Sequence, residues 1–271
     1  MQRMFLKEKQ ALLTVMAQAD NPQRIKDLVD LSIPEGADAV GMQFEQMKAE
    51  YRNKSVYRDL FSYTGSTPVY ATNYRSRENT GKTDERLAEE LLELAECGAD
   101  LCDVMGDMFD PQSDEMAVDE EAIRKQMKLI EALHRKGAKV LVSSHIYKYT
   151  PAERVLEIAL EHQRRGADIS KIVTGADTME QQIENLKIIC MLKEKLDIPF
   201  LFLCGGECVI LRRIGGEIGC CMYLCVQEYD KLATPVQPLL KDVKTIRNIL
   251  ERGALKLQEK SSCGSETIHC N

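Results

Sequence analysis

Residues 165–170 read RGADIS, and close copies recur as EGADAV at 35–40, CGADLC at 97–102 and KGAKVL at 136–141. In each copy a glycine follows a helix-like stretch and precedes a short apolar run. Glycine is typical of the end of a helix, because it adopts a left-handed backbone conformation without strain. The repeat therefore predicts one kind of helix-to-strand connection, used several times along the chain.

Short β-rich runs alternate regularly with longer amphipathic stretches along the sequence. The predicted strands are 11–16, 39–44, 69–73, 101–105, 139–145, 169–174, 200–204 and 220–226, and the clearest predicted helices are 85–97, 120–135, 151–165 and 178–195. Apolar strands joined by crossover helices need a parallel sheet that is covered on both faces. Eight such strands favour a closed (β/α)8 TIM barrel over an open doubly wound sheet. A doubly wound sheet would also need a glycine-rich phosphate loop, which the sequence lacks.

The pattern runs without a linker, so we expect a single barrel domain over residues 1–258. Residues 259–271 are polar and lack a period, which is typical of a loose tail. The longest apolar runs are too short to cross a bilayer, and the charged start of the chain does not resemble a secretory leader. These features predict a cytoplasmic protein that has no membrane association.

The formal net charge of -7 argues against a nucleic-acid partner and implies that an anionic substrate would need a local cationic site. The ten cysteines are spread along the chain and are expected to be reduced. None of the spacings among the later cysteines is the two-residue spacing of a zinc knuckle, so we expect no metal. His134 and His162 lie in charged helical stretches and are expected at the surface.

The active site of a TIM barrel lies at the carboxyl ends of its strands and in the loops that follow them. Polar candidates there are His145 on strand five, Lys171 on strand six, Arg213 after strand seven and Gln237 after strand eight. Lys171 interrupts an apolar strand, where a lysine needs either an ionic partner or a chemical task. Desolvation and a nearby cation would favour its neutral amine, which attacks carbonyls, and His145 on the adjacent strand would exchange protons.

These candidates lie in four motifs, SSHIYKYTP at 143–151, ADISKI at 167–172, RRIGGEIG at 212–219 and ATPVQP at 233–238. Together they resemble the type I 3-dehydroquinate dehydratases, Schiff-base enzymes of the shikimate pathway. The resemblance implies that Lys171 forms an imine with a ketone and that His145 is the general acid and base. It also implies that Arg213 and Gln237 bind the substrate carboxylate, that no cofactor is used, and that the chain forms a homodimer.

The first half of the chain departs from the family pattern. The family has a glutamate and an arginine on strand two, where AVGMQFEQ at 39–46 offers Gly41 and Gln43. The resemblance therefore implies Gln43 as a substrate contact. For the arginine after strand three and the glutamate that orients the histidine, TNYRSRENTG at 72–81 offers Arg75 and Glu78. The imine and carboxylate motifs are kept, whereas the motif that contacts the substrate hydroxyls has lost its charged groups.

Three functions remain open on the sequence. The first is dehydration of 3-dehydroquinate or a close cyclic keto acid. The second is another lysine-imine lyase or aldolase that acts on a different keto acid. The third is a carboxylate-binding protein without catalysis, which would keep the anion site but not the acid and base.

Overall fold

The computed structural model describes residues 10–207 and 209–262, with side chains described through residue 251. Eight strands are present: β1 Leu12–Ala17, β2 Ala39–Gln43, β3 Val69–Thr72, β4 Leu101–Met105, β5 Lys139–His145, β6 Ile169–Ala176, β7 Phe200–Gly206 and β8 Met222–Cys225. The helices are α1 Pro22–Glu35, α2 Lys54–Tyr63, α3 Asp84–Cys97, α4 Glu120–Arg135, α5 Ala152–Arg164, α6 Met179–Lys195, α7 Leu211–Ile218 and α8 Leu240–Ser262. Short 3-10 segments at Phe44–Gln46, Ala49–Tyr51 and Arg77–Asn79 follow β2 and β3.

All strand pairs are parallel, and the strands follow the order β7-β6-β5-β4-β3-β2-β1-β8 around the sheet. The seam between β7 and β8 is held by the amide of Cys221, which donates to the carbonyl of Phe200 at 2.9 Å. The eight strands and their outer helices thus form a nearly closed TIM barrel, which confirms the predicted fold class.

The predicted elements agree closely with the structure. Strands β4 and β5 and helix α4 have the predicted bounds, while β6 extends two residues beyond the prediction, to Ala176. The largest difference is in β8, which runs over Met222–Cys225 rather than over the predicted residues 220–226. Cys220 is instead turned into the seam, where its Sγ accepts from the amide of Phe202 at 3.5 Å.

The interior of the barrel is closed by apolar side chains from all eight strands. One buried cluster contains Leu12, Ala39, Tyr70, Leu101, Leu141, Ile169, Leu201 and Met222, one residue from each strand in turn. A second cluster joins the outer faces of β1 to β5 to helices α1 to α4. Strands buried on both faces explain why the sequence shows continuous apolar runs rather than alternation.

The repeated phrase forms the N-terminal end of the barrel. Gly36, Gly98, Gly137 and Gly166 all have φ between 90° and 114°, the left-handed conformation that the repeat predicted. The aspartates that follow three of them bond to a neighbouring strand. Asp38 accepts from the amide of Leu13 at 3.0 Å, Asp100 from Val69 at 2.8 Å and Asp168 from Val140 at 2.8 Å.

Helix α8 continues to Ser262, four residues past the predicted end of the domain, and the rest of the predicted tail, 263–271, lies outside the described residues. Among the described residues, none of the helices combines the length and the apolar composition that a membrane span requires. The same residues contain no group of three or more histidine, cysteine or acidic side chains placed to hold a metal ion.

Candidate active site

A cavity of about 360 Å³ opens at the carboxyl ends of the strands. Of the residues expected at the site, Gln43, His145, Lys171 and Gln237 line it. Arg75, Glu78 and Arg213 are not among its lining residues. The volume is within the range of small-molecule sites, about 300–1,000 Å³.

Lys171 lies at the floor of the cavity, where only 5% of its side chain is exposed. Its Nζ donates to the hydroxyl of Tyr74 at 2.7 Å, to the hydroxyl of Tyr70 at 3.2 Å and to Oδ2 of Asp103 at 3.2 Å. Both tyrosine hydroxyls also donate to Oδ2 of Asp103. The lysine therefore has the ionic partner that a buried ammonium needs, and it also faces the cavity.

Asp103 is a carboxylate at the centre of this cluster, with none of its side chain exposed. Burial by itself raises its pKa, but the charges of Lys171 and His145 and hydrogen bonds from Ser143 and Tyr70 outweigh burial, so the pKa lies below its usual value. Ser143 donates to the other oxygen, Oδ1, at 2.5 Å. A fixed negative charge thus lies directly below the amine.

His145 ends β5 and is held by Glu115. Oε2 of Glu115 lies 2.9 Å from Nδ1 of the imidazole and accepts from the backbone amide of His145 at 2.7 Å. A carboxylate at Nδ1 places the ring proton on that nitrogen, so Nε2 is the basic atom. The prediction that Glu78 orients this histidine is therefore corrected, because Glu78 is exposed and the contact is made by Glu115.

Glu115 belongs to the loop between β4 and α4 and has a positive φ of 46°. Its carbonyl comes so close to Gly106 that a Cβ at residue 106 would lie 2.5 Å from it. The hydroxyl of Ser144 donates to the same carbonyl at 2.8 Å. The glycine and the serine together fix the loop that carries the carboxylate to His145.

The anion end of the cavity is formed by Arg212 and Gln237. Arg212 is buried, and its Nε donates to the carbonyl of Cys204 at 2.9 Å. Burial lowers the pKa of Arg212, and within the described residues its guanidinium forms no ion pair with a carboxylate. Oε1 of Gln237 is buried without a hydrogen-bond partner in the described structure. Both side chains therefore have polar capacity for a ligand.

The prediction of Arg213 at this position is off by one residue. Arg213 lies on the next position of α7 and is half-buried, and its Nη1 donates to the carbonyl of Val209 at 3.3 Å. Adjacent residues on a helix point about 100° apart, so only one of two neighbouring arginines faces the cavity. In this structure that arginine is Arg212.

The wall formed by β2 and β3 carries no arginine side chain. A Cβ at Gly41 would lie 2.2 Å from Sδ of Met16, so this methionine fills the space beside the strand. Oε1 of Gln43 accepts from Gln18 at 2.5 Å and from Gln46 at 2.8 Å. Burial raises the pKa of Glu45 to about 7, so this carboxyl is partly protonated at neutral pH.

Arg75, the predicted contact after β3, points away from the cavity. Its guanidinium bonds to Asp84 and Asp107, each at 2.7 Å, which ties the start of α3 to the loop after β4. Two residues later, Arg77 lines the rim of the cavity with a positive φ of 56°. The alignment of this stretch with the family pattern was therefore wrong at Arg75. Tyr74 and Arg77 line the cavity instead.

His162 is also not where the sequence predicted it. It is fully buried between Ser144 and Ser170, whose hydroxyls lie 3.1 and 3.0 Å from its ring nitrogens, and burial lowers its pKa to about 3. The charged helix around it hid this position, although Ala159, Ile158 and Val155, three, four and seven residues before it, mark the buried face. Glu115 and Tyr74 had no comparable signal, because each depends on the path of a loop.

The profile of the Type I 3-dehydroquinase family matches residues 15–254. A 3-dehydroquinate dehydratase from Alkaliphilus oremlandii is 32% identical over 127 residues, which are 46% of this chain and 49% of that protein. One from Listeria monocytogenes is 25% identical over 214 residues, 77% of each chain. The alignment thus spans about half the length of the first of these relatives.

Solved structures give the same fold. A type I 3-dehydroquinate dehydratase from Clostridium difficile with covalently modified comenic acid has a TM-score of 0.78 at 19% identity, covering 93% of this chain and 97% of that one. The enzyme from Geobacillus kaustophilus has a TM-score of 0.78 at 17% identity, covering 91% and 93%. With most of its length matched by the family profile, this chain is a member of the Type I 3-dehydroquinase family.

Proposed function

We propose that this protein dehydrates 3-dehydroquinate, or a close cyclic keto acid, through an imine on Lys171. The observation that carries the proposal is the position of Lys171 at the floor of a cavity that His145, Arg212 and Gln237 also line. An amine, a base and an anion site are the groups that this reaction needs. Family membership supports the same chemistry.

The reaction begins when the neutral amine of Lys171 attacks the substrate ketone and water leaves. The iminium that results withdraws electrons more strongly than the ketone, so it acidifies the neighbouring C–H bond. Asp103 stabilises the Lys171 ammonium before the reaction. It then stabilises the positive charge of the iminium, which forms at the same nitrogen.

His145 then removes the acidified proton with Nε2, while the Glu115 carboxylate stabilises the imidazolium through Nδ1. The imidazolium gives a proton to the departing hydroxyl, and a second molecule of water is released. Hydrolysis of the product imine frees Lys171. His145 therefore carries the proton from carbon to the departing hydroxyl by itself. No cofactor takes part in the proposed sequence.

Arg212 and Gln237 bind the carboxylate in this proposal. A guanidinium gives charge-assisted hydrogen bonds to a carboxylate, and the Nε2 group of Gln237 donates a further one. This anchor holds a small anionic substrate with its ketone toward Lys171. Gln43 contacts the opposite side of the substrate, where β2 carries no charged side chain and Glu45 lies in the 3-10 segment that follows it.

A second candidate is a lysine-imine lyase that acts on a keto acid with fewer hydroxyls. The wall of β2 favours it, because Met16 fills the space beside Gly41 and Gln43 stands where the family has an arginine. A cytoplasmic location and a homodimer remain predictions from the sequence and from the resemblance. We likewise keep the prediction of no nucleic-acid partner, on the basis of the acidic net charge.

The test is intact mass spectrometry after incubation with 3-dehydroquinate and borohydride, followed by peptide mapping. We expect a reduced adduct on the peptide that contains Lys171, together with turnover in the absence of borohydride. The control is Lys171→Met combined with Asp103→Asn, because the single change would leave a buried carboxylate without its cation. A folded wild-type protein with neither adduct nor turnover would contradict the proposal.

A further inference from the structure

We propose that Tyr74 is a catalytic residue, whose hydroxyl carries a proton from the Lys171 nitrogen to the substrate carbonyl oxygen as the carbon–nitrogen bond forms. This inference rests on the imine proposed above and assigns its formation to a residue separate from His145. His145 is then needed only for the proton transfers at carbon and at the departing hydroxyl.

The position of the Tyr74 hydroxyl carries the inference. Three groups accept hydrogen bonds from Lys171, and Tyr74 is the nearest at 2.7 Å, against 3.2 Å for both Tyr70 and Asp103. Of the three, only Tyr74 also lines the cavity. A carbonyl that approaches Nζ from the cavity therefore meets the Tyr74 hydroxyl beside the nitrogen, whereas Tyr70 and Asp103 lie below it.

The hydrogen bonds of Tyr74 have the direction that a relay needs. Its oxygen accepts from Lys171, and its proton is donated to Asp103. A substrate carbonyl oxygen that enters next to the phenol offers a second acceptor for that proton. The oxygen of Tyr74 can then receive one proton from nitrogen while it gives another to the substrate.

Before this step the Lys171 ammonium loses one proton to the medium. The nitrogen lone pair forms the bond to carbon, and the π pair of the carbonyl moves to oxygen. The nitrogen proton passes to Tyr74 as the phenol proton passes to the new oxygen. The products are a neutral carbinolamine and an unchanged phenol, so no other reactant is required.

The surroundings keep Tyr74 in its protonated form between turnovers. Burial, together with the negative charge of Asp103, raises the pKa of Tyr74 well above its usual value. A free phenolate is thus disfavoured, and the two protons must move together. The imidazole of His145 lies edge-on to the ring of Tyr74, with centroids 5.1 Å apart, which places both proton carriers on the same side of the cavity.

Tyr70 provides a matched comparison within the chain. Both phenols donate to Asp103 and accept from Lys171, but Tyr70 is buried whereas Tyr74 is half-buried. Replacing either by phenylalanine removes one hydroxyl from the cluster. Only the change at Tyr74 removes a hydroxyl that faces the substrate.

The experiment uses pentane-2,4-dione, a diketone that reacts with an amine through a carbinolamine to give an enaminone that absorbs in the near ultraviolet. Wild type, Tyr74→Phe and Tyr70→Phe are compared for the rate of enaminone formation at Lys171, which is verified by peptide mapping. We expect a fall of about 100-fold for Tyr74→Phe and of less than about 5-fold for Tyr70→Phe. Equal falls, a Tyr74→Phe rate within about threefold of wild type, or an unreactive wild-type Lys171 would overturn the inference.

A second variant decides the matter if Tyr74→Phe does not fold. Site-specific replacement of Tyr74 by 3-fluorotyrosine keeps the hydroxyl and its contacts but makes the phenol more acidic. Because the rate of proton transfer depends on the acidity of the donor, we expect the rate of enaminone formation to differ from wild type by about threefold or more, whereas an unchanged rate would overturn the relay. Because the diketone is not the natural substrate, a failure to dehydrate 3-dehydroquinate would count against the proposed function and not against Tyr74.

Discussion

At the N-terminal end of the barrel the chain uses one connection repeatedly, whereas at the C-terminal end each strand finishes in a different set of polar groups. The repeated end joins a left-handed glycine to an aspartate that accepts from a neighbouring strand, as at Asp38, Asp100 and Asp168. The other end contains Lys171 and His145, whose partners come from other strands and from loops. The two ends are built on the same strands, but their hydrogen-bond partners are arranged in different ways.

The two ends of the barrel differ in how far apart along the chain their contacting residues lie. At the repeated end, the residues that form each connection lie within a few positions of each other, apart from the strand amide that the aspartate binds. At the site, Lys171 bonds to Tyr70 and Tyr74, about a hundred positions earlier, and His145 bonds to Glu115, thirty positions earlier. Stability at one end therefore depends on local sequence, and function at the other depends on the whole topology.

The largest effect in this comparison is expected from Glu115→Gln. The change removes the negative charge that fixes the imidazole tautomer and stabilises its protonated form, so kcat should fall by about 100-fold with little change in KM. Steady-state kinetics with 3-dehydroquinate measure it. The matched control is Glu78→Gln, which changes the glutamate that the sequence predicted for this role.

We expect Glu78→Gln to keep the wild-type kcat to within about twofold, because surface substitutions away from a site have small effects. If Glu78→Gln fell as far as Glu115→Gln, the loop after β3 would reach His145 during turnover, and the assignment of Glu115 would be wrong. Thermal melting of both variants separates a loss of activity from a loss of fold.

A smaller effect is expected at the anion end, from the neighbouring pair Arg212 and Arg213. Arg212→Gln removes the buried guanidinium that lines the cavity, and a charged hydrogen bond of about 2 kcal/mol corresponds to a rise in KM of about 30-fold. Arg213→Gln should change KM by less than about threefold. The opposite ranking in steady-state kinetics would show that α7 is rotated by one residue and that the family motif had the right register.

Much of the molecule was predictable from the sequence, and the parts that were not share one physical feature. Periodicity predicted the bounds of the strands and helices. The rule that sites lie at strand ends predicted Lys171, His145 and Gln237. Glu115 was missed because the loop after β4 brings it back to the site, and no local pattern encodes that path. Arg75 was misplaced because its register in the loop after β3 depends on ion pairs with Asp84 and Asp107.

The smallest effect is expected at the repeated end, from Asp168→Asn. Lys139 and His134 contact the Asp168 carboxylate at 2.8 and 2.7 Å. Burial alone would raise the pKa of Asp168, but hydrogen bonds from Lys139, the Val140 amide and His134 hold it below its usual value of 3.8. Because the pKa is lower in the folded state, the carboxylate stabilises the fold above about pH 4, and this contribution disappears as the pH falls below that value.

Asp168→Asn should therefore lower the free energy of unfolding by about 1 kcal/mol at pH 7, measured by urea denaturation, since an amide retains the bond from the Val140 amide but loses the charge. The difference from wild type in the free energy of unfolding should narrow as the pH falls from about 4 through the lower pKa of the folded state, because the wild-type carboxyl itself becomes protonated there. If the difference in the free energy of unfolding stayed constant over this range, the stabilisation would come from the shape of the Asp168 side chain and not from its charge. The kcat/KM of the variant at pH 7 should equal that of wild type, because Asp168 precedes β6 whereas Lys171 faces the cavity from within it. A fall in kcat/KM without unfolding would mean that the two ends of the barrel are coupled through β6, so that stability and function are not separated along the strands.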